Sequence, residues 1–154
     1  ICKLSAFHNL QNYTYLISFF KKKGIPALKA DVNNTKLKAN SFDVVRSKEV
    51  LEHVQDAEKF ILECKRILKK NGYLVIHVPS QWSAFYPITN FWDDYTHIRP
   101  FTKRGIIRLL SNTGFTTIYV RGYTVGRNII ESLVGKIIEK FFPFCWFVIA
   151  KNHI

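Results

Sequence analysis

Residues 42–54 read FDVVRSKEVLEHV, and this stretch decides the predicted fold. It begins with Phe42, Val44 and Val45 set around Asp43, a short β-branched run that is typical of a strand buried in a sheet. A charged run at 46–49 follows at once, so we expect the strand to end at Val45 and to expose these groups at its C-terminal end. Ligands of open α/β sheets bind outside that end of the strands. The stretch therefore predicts both a buried strand and the edge of a binding site.

A helix and a second strand follow this stretch. Asp56 predicts the N-cap of a helix that ends in a basic turn at 69–72. Its apolar face consists of Phe60, Ile61, Cys64, Ile67 and Leu68. Residues 73–78 form a continuous apolar run that Pro79 closes. Strand, helix and strand with short connections predict a parallel crossover.

The alternation continues upstream. Residues 1–7 predict a short strand, and apolar residues at helical spacing over 13–20 predict a helix. Lysines and then Gly24 end that helix in the expected way. Residues 25–30 predict another strand.

The alternation also continues downstream. Thr102 predicts the N-cap of a further helix. Residues 115–120 predict a strand, 128–142 the most regular helix of the chain, and 144–150 a final apolar strand. The whole pattern predicts an α/β domain of three layers.

Length and composition limit the class of protein. With 154 residues and 47% hydrophobic side chains, the chain can form one domain, residues 1–154, around its own core. Its longest apolar run, 141–150, is shorter than the roughly 18 residues that cross a bilayer. Three cysteines lie far apart, which favours neither disulfides nor a metal site. We therefore expect no metal, no transmembrane segment and a reducing, cytoplasmic location.

A short series of motifs resembles one known family. In chain order the motifs are Asp31, FDVV at 42–45, EVLEHV at 49–54, RILKKNG at 66–72 and an apolar strand that ends at Pro79. Their order and spacing resemble the type 11-like branch of the class I S-adenosylmethionine-dependent methyltransferases. Residues 94–115 are similar to a segment of family members that often modify sugars, lipids or small metabolites. The resemblance implies a Rossmann-like sheet, mostly parallel, with an antiparallel C-terminal strand.

The resemblance also implies a site for S-adenosylmethionine. Asp31 and Val32 stand where the family binds adenine, although Asp31 alone would be an ordinary turn residue. Ser47, Lys48 and Glu49 stand beside the methionine part of the cofactor. A carboxylate near the positively charged sulfur is electrostatically favourable.

The acceptor is expected to lie under residues 80–101, a long aperiodic segment rich in aromatic side chains. This segment is interpreted either as an acceptor loop or as a cap that fills a gap in the core. The candidate acceptor-binding residues are Trp82, Tyr86, Trp92, Asp94 and Arg99. If transfer requires a base, His53 and His97 are the candidates; the alternative for His53 is a helix-entry residue bonded to backbone.

Two features of the family are missing from the sequence. The seven glycines form no GxGxG loop, and residues 7–9 offer no acidic residue for the ribose. The family's first strand also lacks a counterpart, so the strand at 1–7 is expected to lack its inner neighbour. The chain begins at Ile1 and contains no methionine. We therefore expect an N-terminally truncated methyltransferase that, as a fragment, binds S-adenosylmethionine weakly or not at all.

Two functions follow from these observations. The first is S-adenosylmethionine-dependent methyl transfer to a small-molecule, sugar or lipid-like acceptor. The second is a non-catalytic basic module of the same fold that binds nucleic acid or an anionic surface, which the net charge of +12 favours. The basic residues are dispersed over helix exteriors, so we prefer the enzyme and expect no nucleic-acid partner. The sequence leaves the oligomeric state open.

Overall fold

The described part of the chain forms a five-stranded sheet with helices packed beside it. The structure is a computed structural model, and it describes residues 2–5, 17–86, 90–124, 137 and 139–153. The strands are β1 (Cys2–Ser5), β2 (Phe42–Lys48), β3 (Leu68–Pro79), β4 (Phe115–Tyr123) and β5 (Cys145–Asn152). Two helices that lie wholly within the described residues are α1 (Ala57–Ile67), between β2 and β3, and α2 (Lys103–Asn112), before β4.

The sheet order is β1-β2-β3-β5-β4. Strands β1, β2 and β3 are parallel, whereas β5 is antiparallel to both β3 and β4. The predicted parallel crossover is therefore β2-α1-β3, and the predicted antiparallel C-terminal strand is β5. Because the parallel strands point the same way, their C-terminal ends meet at one edge of the sheet.

Helix α1 begins where the sequence predicts. The Lys59 amide donates to Asp56 Oδ1 at 2.9 Å, which satisfies an otherwise unpaired N–H of the first turn. Phe60, Ile61 and Cys64 are fully buried in the hydrophobic core. Burying an apolar side chain of this size stabilises the fold by about 1.5–3 kcal/mol. Cys64 and Cys145 are buried, as predicted.

The predicted strand at 25–30 is wrong, because these residues have no regular structure. Ile25 and Leu28 are 51% and 59% exposed, so no sheet covers this apolar run. The helix before it is confirmed at residues 17–22 and ends at Gly24, whose φ is 70°. Most of the predicted helix at 128–142 lies outside the described residues.

The predicted end of β2 at Val45 is also wrong, since the strand continues to Lys48. Strands pair with it on both sides: Lys48 lies opposite Ser5 of β1 and His77 of β3. Side chains alternate in burial along this part, so Ser47 is buried while Lys48 is exposed. The strand at 1–7 was expected to lack its inner neighbour, but β1 pairs directly with β2. Within the described ranges no helix is both long and apolar enough to cross a membrane.

A candidate active site at the ends of the parallel strands

A cavity of about 530 Å³ opens where β2 and β3 end. This cavity, called the strand-end cavity below, has two walls with titratable side chains. One wall is the turn after β2, with Glu49, Glu52 and His53. The other is the loop at 80–101, with Phe91, Asp94 and His97. Its volume falls within the roughly 300–1,000 Å³ of ordinary small-molecule pockets.

The turn after β2 is held by both backbone and core. Glu49 has a φ of 52°, a left-handed conformation that is uncommon outside glycine, and its amide donates to the His77 carbonyl at 3.1 Å. Val50 and Leu51 are then buried in the core. This anchoring places the next two residues, Glu52 and His53, in the cavity wall.

Glu52 is a buried carboxyl group without a side-chain partner. The residue is 0% exposed, and neither of its carboxylate oxygens has a hydrogen-bond partner among the described residues. Burial raises the pKa of Glu52 to about 8, and the nearby charges of Glu49 and Asp94 act in the same direction. The Glu52 side chain is therefore mostly protonated at neutral pH unless a cation binds beside it.

Two histidines meet at this carboxyl group. The ring centroids of His53 and His97 are 4.6 Å apart. His53 Nδ1 lies 3.0 Å from Thr96 Oγ1, and His97 Nδ1 donates to the Phe91 carbonyl. The His97 ring also stacks on Phe91, with centroids 4.3 Å apart. Both rings are therefore held in fixed orientations beside Glu52.

Arg99 ties the loop at 80–101 to the turn after β2. Its guanidinium donates to the carbonyls of Val54 and Gln55 at 2.9 and 2.5 Å. The Ile98 amide adds a bond to the Glu52 carbonyl at 2.8 Å. Arg99 does not line the strand-end cavity. In this structure it orders the two walls relative to each other.

The structure separates the residues predicted to bind the cofactor. Glu49 lines the cavity, Lys48 lies 3.6 Å from the Glu49 carboxylate, and Ser47 is buried in the sheet. Asp31 and Val32 do not line the cavity. The Asp31 carboxylate instead accepts from the Asn33 amide at 2.9 Å in an exposed turn. The five residues are thus not brought together in one place.

All three predicted aromatic acceptor residues lie outside the strand-end cavity. Trp82 packs edge-on against Phe142, and the Tyr86 hydroxyl donates to the Phe142 carbonyl at 2.8 Å. Trp92 is 56% exposed. The loop residues that do line the cavity are Ser83, Asn90, Phe91, Asp93, Asp94 and His97.

Sequence reasoning did not select Glu52, Phe91 or Asp93 as site residues. The only sequence signal for Glu52 is a charged residue inside the apolar run VLEHV. Such a residue is either exposed to solvent or buried with a binding or structural role, and the sequence alone does not distinguish the two cases.

Comparison with known proteins agrees with this architecture. A family model described as a methyltransferase domain matches residues 8–76. Two Mycobacterium tuberculosis proteins, from strains CDC 1551 and H37Rv, carry the name "Probable S-adenosylmethionine-dependent methyltransferase". Each is 28% identical over 98 residues, which is 64% of this chain. Residues 8–76 thus resemble a methyltransferase domain. The chain spans 35% of the length of these two relatives.

Solved structures share the methyltransferase fold at low sequence identity. An S-adenosylmethionine-dependent methyltransferase from Archaeoglobus fulgidus is 19% identical with a TM-score of 0.62, covering 91% of this chain and 82% of that one. The cyclase SpnF is 14% identical with a TM-score of 0.70, covering 99% of this chain and 66% of that one. The Rossmann-like fold class is thereby confirmed. Because a cyclase has the same fold, the reaction must be argued from the site.

Proposed function

We propose that this chain transfers a methyl group from S-adenosylmethionine to a small-molecule, sugar or lipid-like acceptor in the strand-end cavity. The observation that carries this proposal is an acidic, histidine-containing cavity at the ends of the parallel strands of a methyltransferase fold. The chain as a whole has a net charge of +12, yet no lysine or arginine of the described residues lines this cavity. Such a lining favours a positively charged ligand group, as the sulfonium is.

The described residues fit the methionine end of S-adenosylmethionine. Glu49 and Asp94 present carboxylates to the cavity, which suit both the sulfonium and the amino group of that end. For the adenine end the support is weaker, because Asp31 lies in an exposed turn outside the cavity. Adenine binding by Asp31 and Val32 stays a prediction.

The histidines supply the proton acceptor if the acceptor atom carries a proton. S-adenosylmethionine supplies an electrophilic methyl group: the acceptor lone pair forms the new bond to carbon while the carbon–sulfur bond breaks, and sulfur keeps its electron pair. His97 Nδ1 donates to the Phe91 carbonyl, so its lone pair lies on Nε2 and is suited to take the acceptor proton. Phe91 gives the cavity an apolar wall that helps to exclude water.

Formation of S-adenosylhomocysteine tests this function. The purified chain is incubated with S-adenosylmethionine and a panel of catechols, sugars and hydroxylated lipids. At a high concentration of S-adenosylmethionine, which allows for the weak binding expected of this chain, we expect turnover with one acceptor class and a loss of about 100-fold or more in kcat for His97→Asn, as for removal of a general base. His153→Asn is the matched control, because His153 is exposed and outside the cavity. Turnover that His97→Asn leaves unchanged would contradict the assigned role, and no turnover with any acceptor would contradict the function.

A further inference from the structure

Glu52, His53 and His97 bring together three side chains of the types that bind metal ions. One ligand atom from each lies within 4.8 Å of the others. The atoms around a tetrahedral zinc ion, at about 2.0–2.2 Å from it, are about 3.3–3.6 Å apart. A bound ion would therefore need to draw the most distant pair together by at most about 1.5 Å.

The Glu52 carboxyl group gives independent evidence that the cluster is a binding site. It is fully buried, and neither oxygen has a hydrogen-bond partner in the described part of the chain. A buried polar group without a partner costs free energy, and an ionised one costs more. Glu52 also lines the strand-end cavity, so a ligand can reach it. A bound cation would stabilise the ionised form of this carboxyl group and give its oxygens a partner.

Hydrogen bonds through Nδ1 orient the imidazole rings of His53 and His97 for metal binding. The Thr96 hydroxyl donates to Asp94 Oδ1 at 2.5 Å, so its oxygen is left to accept from His53 Nδ1–H at 3.0 Å. His97 Nδ1–H donates to the Phe91 carbonyl. Both rings therefore carry the lone pair on Nε2. Metal-binding histidines are usually oriented in this way, by a carbonyl or carboxylate acting through the other nitrogen.

The surrounding charge also favours a cation. Glu49, Asp93 and Asp94 line the same cavity as the cluster. Carboxylates concentrated in a cleft raise the local concentration of positive ions. This acidity is local, since the chain has 23 basic and only 11 acidic residues.

We propose that Glu52, His53 and His97 together bind one divalent transition-metal ion. One carboxylate and two imidazoles suit Zn²⁺, Co²⁺ or Mn²⁺ better than Mg²⁺ or Ca²⁺, which prefer oxygen ligands. Three protein ligands leave coordination positions open to the cavity. The use of those positions rests on the proposed function: with the ion bound, His97 Nε2 would be a ligand and not the base, and a hydroxyl of the acceptor would bind the ion and lose its proton more readily. Metal binding itself does not depend on that function.

Cobalt titration tests the metal site directly. The purified chain is stripped with a chelator and titrated with Co²⁺ alone, and binding is followed by calorimetry and by visible d–d absorption. We expect one ion per chain. Glu52→Gln and His97→Asn should each weaken binding by on the order of 100-fold, since loss of an outer-sphere partner alone costs about 10–100-fold. Glu58→Gln, on the exposed side of α1, is the matched control and should bind like the parent.

The outcomes separate this inference from the proposed function. Binding that Glu52→Gln and His97→Asn both leave unchanged, or no binding at millimolar Co²⁺, would overturn the metal site. If one of these variants fails to fold, as judged by circular dichroism, the other decides. Methyl transfer that resists chelation would leave the function standing without the metal. Cobalt binding in a chain with no methyl transfer would leave the metal site standing without the function.

Discussion

Glu52 and Glu63 are both buried glutamates, at 0% and 8% exposure, yet their surroundings differ completely. Glu63 accepts from the amide and hydroxyl of Thr35 at 2.8 and 2.6 Å. It also accepts two bonds from Arg66, at 2.7 and 2.8 Å. Glu52 has no side-chain hydrogen bond within the described residues. Burial alone therefore does not distinguish a structural carboxylate from a binding one, but its partners do.

The pKa values of the two carboxyl groups move in opposite directions for this reason. The hydrogen bonds from Arg66, followed by those from Thr35, lower the pKa of Glu63 to about 2. Burial raises the pKa of Glu52 to about 8. Glu63 thus joins the loop before β2 to α1 as a permanent anion. Glu52 is available to a cation that enters the strand-end cavity.

Removal of the Glu63 side chain should have the largest effect on stability. Glu63→Ala leaves Thr35 and Arg66 without their shared partner; because the Arg66 side chain is 40% exposed and can be solvated, we expect a cost of about 1–3 kcal/mol. Urea unfolding followed by circular dichroism measures the change. Glu58→Ala on the exposed side of the same helix is the control and should cost less than about 1 kcal/mol. Equal effects of the two substitutions would show that the Glu63 network contributes nothing specific.

The second largest effect is expected from acid, which should remove the contribution of Glu63 to the stability of the fold. Its folded pKa of about 2 lies below the ordinary value of 4.5, so its contribution is complete above that value. The contribution is lost as the pH falls from 4.5 toward 2, because the unfolded chain takes up the proton first. Glu63→Gln should therefore flatten the acid limb of the unfolding curve between these values. An acid limb identical to that of the parent chain would contradict the low pKa.

Substitution of Glu52 should have the smallest effect on stability, with the opposite sign. Its folded pKa of about 8 lies above 4.5, so its contribution is complete below pH 4.5 and is lost as the pH rises toward 8. Glu52→Gln replaces the buried acid by a neutral group of the same shape. In metal-free buffer at pH 7 to 8 the variant should match or exceed the parent by up to about 1 kcal/mol. A clear loss of stability there would show that the Glu52 carboxylate already has a stabilising partner.

Local signals in the sequence predicted much of the fold. Asp56 and Thr102 cap the helices as predicted, because a cap depends on residues within one turn. The strand at 25–30 failed, because an apolar run becomes a strand only when another strand pairs with it. The predicted end of β2 at Val45 was wrong for the converse reason. Strands β1 and β3 pair with β2 on both sides as far as Lys48, so the strand continues to that residue.

The candidate site was predictable only in part. The sequence indicated Glu49, His53, Asp94 and His97, and the structure brings these four into one cavity. It did not distinguish Glu52 from Glu63, because what separates them lies far away in the sequence. Glu63 finds Thr35, 28 residues before it, whereas Glu52 faces a cavity closed by the loop at 80–101. Whether the Glu52 carboxyl group has a partner depends on the fold, and the sequence around Glu52 does not indicate it.

The most direct test of the contrast is a carboxyl-carbon NMR titration of both glutamates in metal-free protein. The structure predicts that Glu52 titrates near pH 8 and Glu63 near pH 2. Glu52→Gln and Glu63→Gln assign the two resonances. If both groups titrate near their ordinary value of 4.5, the surroundings of Glu52 do not raise its pKa. The proposed contrast between a binding Glu52 and a structural Glu63 is then wrong.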